Sequence, residues 1–266
     1  MKFGINVWSY PKSLPLEEAM THAASTGYDA FEVALTSEDW EHWGSPGWIK
    51  KWEAVKERSK ELGISIPSIA TGLFWQFNLL TQPQDALKVV RMECEAAELL
   101  GAKLILVVPG VGVPELPYRE HIKQAAMVLK EAGKLAAAHG VFIGLENVWN
   151  RVFAGPLEFE MLLDEVGHER VGAYLDVGNV LPHSLPEHWI EVLDKRIFQI
   201  HVKDYSVAKG IFGIPLSGDI NWSNVRRALA KANYNGYVVC EVPPYPGDAY
   251  QAAEDTRNAL RKVFGQ

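Results

Sequence analysis

The chain alternates short runs of β-forming residues with longer stretches of helical period, eight times within 266 residues. Several of the runs are continuously apolar, such as KLILVV and VFIGLE, which is typical of parallel strands buried on both faces. The predicted strands cover residues 2–7, 29–34, 65–70, 103–108, 141–146, 171–176, 197–201 and 237–241. This alternation predicts an α/β fold built from repeated strand–helix units.

The number and length of the repeats distinguish between the two common α/β arrangements. The repeat length is about 33 residues, which suits eight parallel strands closed into a barrel by right-handed crossovers. An open doubly wound sheet would place a glycine-rich phosphate-binding turn after the first strand, and residues 8–12 (WSYPK) contain no glycine. The sequence therefore predicts a single (β/α)8 TIM barrel domain over residues 1–266.

Composition limits the partners of such a barrel. The formal net charge is −7 and no basic stripe is present, so nucleic-acid binding is disfavoured. The two cysteines, Cys94 and Cys240, lie far apart and indicate neither a disulfide framework nor a thiolate zinc site. The sequence shows no signal peptide and no apolar stretch of about 20 residues. We expect a cytoplasmic protein that binds neither nucleic acid nor a membrane.

Residues able to bind a metal end four consecutive predicted strands, the fifth to the eighth. They are Glu146, Asp176, His201 and Glu241. The carboxyl ends of barrel strands surround one mouth, so we expect these side chains to share one volume although they are distant in sequence. A cation would hold the like-charged carboxylates together and offset the cost of burying them partly. The sequence therefore predicts a metal site at the mouth.

The ligand set indicates which ions suit this site. Three carboxylates and one imidazole favour Mn²⁺, Mg²⁺ or Co²⁺, with Zn²⁺ as an alternative. Taken alone, a carboxylate at a strand end is more often a helix N-cap or a solvated loop residue. Taken alone, His201 is as often a hydrogen-bonded structural residue as a ligand. The metal site is favoured over these separate roles because all four residues stand at the ends of successive predicted strands.

The sequence around these residues contains several long blocks with family character. They are LVVPG at 106–110, GLENVWNRV at 144–152, YLDVGNVL at 174–181, IHVKD at 200–204 and GDINW at 218–222. Together they resemble the sugar phosphate isomerase/epimerase family of xylose isomerase-like TIM barrels. The resemblance extends over essentially the whole chain. It is strongest to the branch related to L-ribulose-5-phosphate and L-xylulose-5-phosphate 3-epimerases.

The resemblance implies a metal-dependent activity in carbohydrate metabolism, with Mn²⁺ as the first choice of ion. In such epimerases two metal-bound glutamates lie on opposite faces of a ketose, and Glu146 and Glu241 occupy those positions here. One would remove the C3 proton to give an enediolate, and the other would return a proton to the opposite face. Related barrels form dimers or tetramers, so we expect a homodimer or homotetramer. The resulting prediction is an epimerase that inverts C3 of a ketose or ketose phosphate.

Six further residues are expected to contact the sugar. They are Lys203, Asn179, Asn147, Arg151, Trp8 and Trp75. Lys203 is expected to hold a phosphate or a hydroxyl, with a surface salt bridge to Asp204 as the alternative. The asparagines and the arginine lie in predicted mouth loops, where turn or cap roles are the alternative. The two tryptophans follow predicted strands and are expected to pack on the C–H face of the sugar or to serve as core or lid residues.

Two positions differ from related epimerases that act on free ketoses. Those enzymes carry a histidine three residues after the metal-binding aspartate, where this chain has Asn179, and an arginine six residues after the ligand histidine, where it has Val207. A free-ketose epimerase of that kind is therefore less favoured.

Other functions stay open at the level of sequence. They are a 1,2-aldose–ketose isomerase with the same metal site, a lyase or dehydratase acting on a keto-acid, and a metal-free sugar-binding or accessory barrel. An abasic-site nuclease of the endonuclease IV type is disfavoured. That class uses several additional histidines at strand ends, whereas His201 is the histidine that this sequence places there.

Overall fold

The computed structural model describes residues 1–265, and its central feature is a closed barrel of eight parallel strands. The barrel strands are β1 (Lys2–Asn6), β2 (Ala30–Leu35), β3 (Ser68–Thr71), β4 (Leu104–Val107), β5 (Phe142–Glu146), β6 (Val171–Asp176), β7 (Ile197–Val202) and β10 (Tyr237–Cys240). An antiparallel hairpin of β8 (Asp204–Ser206) and β9 (Ile211–Gly213) follows β7. The order around the barrel is β1-β10-β7-β6-β5-β4-β3-β2. The predicted (β/α)8 barrel is confirmed, and each predicted strand overlaps one barrel strand.

Helices connect the strands. They are α1 (Leu16–Thr26), α2 (Ser37–His42), α3 (Pro46–Leu62), α4 (Pro83–Leu100), α5 (Tyr118–Ala138), α6 (Pro156–Val166), α7 (Val177–Val180), α8 (Pro186–Leu193), α9 (Trp222–Lys231) and α10 (Gln251–Phe264). Four of them begin at proline, whose missing N–H costs nothing in a first helical turn. Within residues 1–265, none of these helices combines the length and the apolar character needed to cross a membrane.

Most residues of the barrel strands are buried, as continuous apolar runs predict. Every residue of β3, β4 and β6 is buried, which places one face against the barrel interior and the other against helices. Gly144 of β5 allows a close approach of the fully buried Tyr174 on β6, because a Cβ at residue 144 would lie 2.9 Å from Cβ of Tyr174.

The packing of the chain separates into two compact units. One comprises Met1–Val33, Glu57–Ile66 and the chain from Leu175 onward, and the other comprises Ala34–Lys56 and Pro67–Tyr174. Three of the four boundaries fall inside β2, α3 and β6, and the fourth, between Ile66 and Pro67, lies between α3 and β3. The single domain over residues 1–266 stays a prediction.

The two cysteines provide a test of the packing. Cys94 and Cys240 are free and completely buried, and burial raises the pKa of both thiols above the ordinary value. Because the reactive species is the thiolate, we expect neither cysteine to react with an aromatic disulfide reagent in the native protein at neutral pH. Both thiols should react in concentrated guanidinium chloride. Rapid labelling of one thiol, with the circular dichroism spectrum unchanged, would contradict this packing.

Candidate metal centre

Glu146, Asp176, His201 and Glu241 lie together. Each offers one ligand atom, and the four atoms all lie within 4.8 Å of one another. Glu146 and Asp176 end β5 and β6, His201 is the penultimate residue of β7, and Glu241 directly follows β10. The first three are buried and Glu241 is partly exposed. The structure therefore brings together all four residues that the sequence predicts as ligands.

The donor set fits a divalent cation. Three carboxylates and one imidazole are ligands that Mn²⁺, Mg²⁺ and Co²⁺ share, and Zn²⁺ accepts them as well. Nδ1 of His201 lies 3.9 Å from Oε2 of Glu241, so this nitrogen faces the carboxylates of the cluster. Carboxylates at this spacing favour a bound cation, because its positive charge offsets the repulsion between them.

Glu32, in β2, determines which nitrogen of His201 is available to a metal. Its Oε1 lies 2.7 Å from Nε2 of His201, and both side chains are completely buried. An ionised carboxylate only accepts hydrogen bonds, so Nε2 carries the proton and Nδ1 keeps its lone pair. Asn6 donates to Oε1 of Glu32 at 2.5 Å, and Gln199 donates to Oε2 at 3.4 Å. These donors hold the buried carboxylate that orients the imidazole.

Sequence reasoning missed Glu32. The signal that could have found it is the charge itself, since Glu32 interrupts the apolar run AFEVAL of β2. A charged residue within a fully buried strand needs a partner inside the fold. Its partner, His201, is 169 residues away along the chain.

Asp176 uses its two oxygens differently. Oδ1 accepts hydrogen bonds from the backbone N–H of Gly178 at 2.8 Å and of Asn179 at 2.9 Å, and thereby caps α7. Oδ2 lies 2.6 Å from Nζ of Lys203. The capping role and the ligand role are therefore compatible, because the cap fixes the rotation of the carboxylate and leaves Oδ2 for a cation.

The backbone that carries Glu241 is held by Ser9, a completely buried residue in the turn after β1. Oγ of Ser9 accepts from the N–H of Val242 at 3.1 Å and donates to the carbonyl of Cys240 at 3.4 Å. The N–H of Glu241 donates to the carbonyl of Val202 at 3.2 Å. Glu241 is therefore fixed in position although it lies one residue beyond β10.

Lys203 lies inside the cluster. Its side chain is 9% exposed, and Nζ lies 2.6 Å from Oδ2 of Asp176 and forms a short ion pair with Oε2 of Glu241. The ring of Phe212, in β9, is 5.0 Å from Nζ. The alternative of a surface salt bridge between Lys203 and Asp204 is wrong, because Asp204 is completely buried and its oxygens accept other hydrogen bonds.

Asp204 organises the loop that follows β7. Oδ1 accepts from the N–H groups of Tyr205 and Ile220, at 2.8 and 3.1 Å. Oδ2 accepts from the N–H of Leu216 at 2.9 Å and from the indole N–H of Trp222 at 2.8 Å. Four hydrogen bonds to one buried carboxylate tie both ends of the loop to the strand end that carries Lys203.

The other predicted sugar contacts lie in the expected loops. Trp8 follows β1 and Trp75 follows β3, and they are 36% and 51% exposed. Asn147 is buried directly after β5, and Arg151 is exposed in the same loop, with a φ of 68°. Asn179 is partly buried in α7, where its backbone N–H donates to Asp176 of the cluster. Contact of these side chains with a sugar stays a prediction.

The structure combines a closed (β/α)8 barrel with a cluster of Glu, Asp, His and Glu at its strand ends, a combination suited to holding a metal ion. The chain belongs to the xylose isomerase-like TIM barrel family, which it matches over residues 20–263. The family resemblance seen in the sequence is confirmed.

Three known proteins illustrate the similarity. Inosose dehydratase of Clostridium perfringens is 26% identical over 228 residues, which are 73% of this chain and 76% of that protein. A D-tagatose 3-epimerase-like protein superposes with a TM-score of 0.84 at 22% identity, covering 100% of this chain and 97% of the other. D-psicose 3-epimerase superposes with a TM-score of 0.83 at 18% identity, over all of both chains. At these low identities, the similarity to the two structures establishes the fold of this chain but not its activity.

Glu32→Gln should weaken Mn²⁺ binding. The amide nitrogen of Gln would oppose the N–H donors of Asn6 or Gln199, so the orientation of His201 would be lost. We expect the dissociation constant, measured by isothermal titration calorimetry, to rise about 10- to 100-fold. Glu38→Gln, which neutralises an exposed glutamate of α2, serves as the matched control and should leave the affinity unchanged. Equal affinities for Glu32→Gln and the wild type would contradict the role of Glu32.

Proposed function

We propose that this protein is a divalent-metal-dependent epimerase that inverts C3 of a ketose or ketose phosphate. The observation that carries the proposal is the presence of two glutamates, Glu146 and Glu241, in one cluster with Asp176 and His201. Inversion requires a base on one face of the carbon and a proton donor on the other. The structural similarity to D-psicose 3-epimerase supports this reaction class.

The four clustered residues would hold the metal, which supplies stabilisation of the negative charge that develops on the substrate oxygens. A proton next to a carbonyl group is only weakly acidic, so a carboxylate must be positioned to accept it. One glutamate takes the C3 proton, and the substrate becomes an enediolate. The other glutamate delivers a proton to the opposite face and inverts the centre. His201 does not transfer a proton in this scheme, because its Nε2 proton is committed to Glu32.

The far end of the substrate would be held by the loops at the mouth. The proposed contacts are Lys203, Asn179, Asn147, Arg151, Trp8 and Trp75. The Lys203 ammonium suits a phosphate or a hydroxyl, and the exposed faces of Trp8 and Trp75 suit the C–H face of a sugar. We further propose Mn²⁺ as the ion, a homodimer or homotetramer as the assembly, and the cytoplasm as the location.

A dehydratase is the second candidate. Two observations favour it: the similarity to inosose dehydratase, and the Lys203 ammonium beside Glu241. Dehydration of a hydroxyketone begins with the same proton abstraction next to the carbonyl. It then needs an acid that protonates the departing hydroxyl, and an ammonium group can serve as that acid. The two candidates therefore share the first step and differ in the second.

Incubation of the Mn²⁺-loaded protein with candidate ketoses, ketose phosphates and inosose in D2O tests the assignment. We expect deuterium at C3 together with the C3 epimer, observed by NMR. Deuterium at C1 or C2 with formation of an aldose would indicate an isomerase instead. Loss of water would indicate the dehydratase. Saturable binding without isotope exchange would indicate a sugar-binding barrel.

Glu146→Gln and Glu241→Gln test whether the two glutamates work on opposite faces. Each variant should lose epimerisation by a factor of about 10² to 10⁴, because a general base or acid is missing. Each should still exchange the C3 proton of one epimer, and the two variants should retain opposite epimers. Asp176→Asn is the matched control for weakened metal binding, and it should slow exchange of both epimers equally. Retention of the same epimer by both glutamate variants would contradict the two-face scheme.

A further inference from the structure

The ammonium of Lys203 contacts the oxygens that a metal in this cluster would need. It lies 2.6 Å from Oδ2 of Asp176 and pairs with Oε2 of Glu241. Oδ1 of Asp176 is engaged by two backbone N–H groups at the start of α7, so Oδ2 is the oxygen left for a cation. An ammonium group and a divalent ion bound by the same two oxygens would place two positive charges close together, so each disfavours the other at that position.

Electrostatics explains why the ammonium lies there. Three carboxylates, of Glu146, Asp176 and Glu241, contribute oxygens to a cluster that spans at most 4.8 Å. Mutual repulsion at such distances is strong when the groups are largely removed from water. Lys203 is tethered beside them and mostly buried, so its charge offsets part of this repulsion when no other cation is bound.

We propose that Lys203 and the divalent cation compete for Oδ2 of Asp176 and Oε2 of Glu241, and that metal loading moves the ammonium out of the cluster toward the substrate. The inference rests on the metal site of the proposed function. A divalent ion and one ammonium group together balance the charge of three carboxylates. The displaced ammonium therefore stays close and becomes a cationic contact for a phosphate or a hydroxyl. In this scheme, metal binding releases the Lys203 ammonium from the cluster and thereby completes the sugar-binding site.

The surroundings of Lys203 allow this movement. The Phe212 ring already lies 5.0 Å from Nζ, so the ammonium can keep this cation–π contact when it leaves the two carboxylates. The stem of Lys203 passes Gly178, where a Cβ would collide with Cγ of Lys203 and lie 2.8 Å from its backbone oxygen. Asp204 anchors the neighbouring backbone through four hydrogen bonds. The backbone and the inner stem of Lys203 are therefore fixed, and the proposed movement is confined to the outer part of its side chain.

Mn²⁺ titration of the metal-free protein by isothermal titration calorimetry tests the competition. If the ammonium occupies the cluster in at least nine molecules of ten, its removal in Lys203→Met should tighten Mn²⁺ binding about tenfold or more. Lys209→Met is the matched control, because it removes the same charge from an exposed position in the turn of the β8–β9 hairpin. Its affinity should equal that of the wild type. Unchanged or weaker binding by Lys203→Met, or equal tightening in both variants, would overturn the proposal.

A second measurement uses the wild-type protein, since Lys203→Met could fail to fold without metal. Amine labelling followed by peptide mass spectrometry compares the reaction of Lys203 with and without Mn²⁺. Metal should raise the labelling of Lys203 severalfold and leave that of Lys209 unchanged. Constant or reduced labelling of Lys203 on metal binding would overturn the proposal.

The two proposals fail in different ways. If neither the wild type nor Lys203→Met binds Mn²⁺, the metal-dependent function itself is contradicted. If both bind Mn²⁺ with the same affinity and the wild type still epimerises its substrate, only the competition by Lys203 is contradicted.

Discussion

Repulsion between like charges is the constraint on which this site depends. Three carboxylates share a cluster with one imidazole, and a cation placed among them would offset the repulsion between their charges. The closed parallel barrel brings these side chains together, because the carboxyl ends of all its strands surround one mouth. The same concentration of charge provides the chemistry, since carboxylates near a cation can bind it and also move protons. The fold and the proposed metal site and reaction are therefore linked through one arrangement.

Buried polar residues behind the ligands keep this arrangement in place. Glu32 orients His201, Ser9 holds the backbone on both sides of Glu241, and Asp204 fixes the loop after Lys203. Each is completely buried and engaged in hydrogen bonds, so replacing it would leave unpaired groups in the interior. The supporting residues lie in the turn after β1, in β2 and in β8, whereas the four residues of the cluster lie at the ends of β5, β6, β7 and β10. The site is thus assembled from most of the strands.

The barrel and the cluster of four candidate ligands could be predicted from sequence because both leave periodic signals. Buried strands leave apolar runs, and each ligand stands where a run ends. The missed elements leave no such signal: α2 and α7 are short helices that begin at the side-chain caps Thr36 and Asp176, and the hairpin strands have three residues each. The role of Glu32 depends on a partner distant in sequence, which no local pattern reveals. The alternative interpretation of Lys203, a surface salt bridge to Asp204, is wrong because both side chains are buried and Asp204 accepts hydrogen bonds from the following loop.

The central claim is that these four side chains bind one divalent cation. A crystal of the protein grown with Mn²⁺, with diffraction data collected at the manganese absorption edge, tests it most directly. We predict a single strong anomalous peak in contact with Glu146, Asp176, Glu241 and Nδ1 of His201. A cluster without an anomalous peak, at a Mn²⁺ concentration that saturates catalysis, would contradict the account.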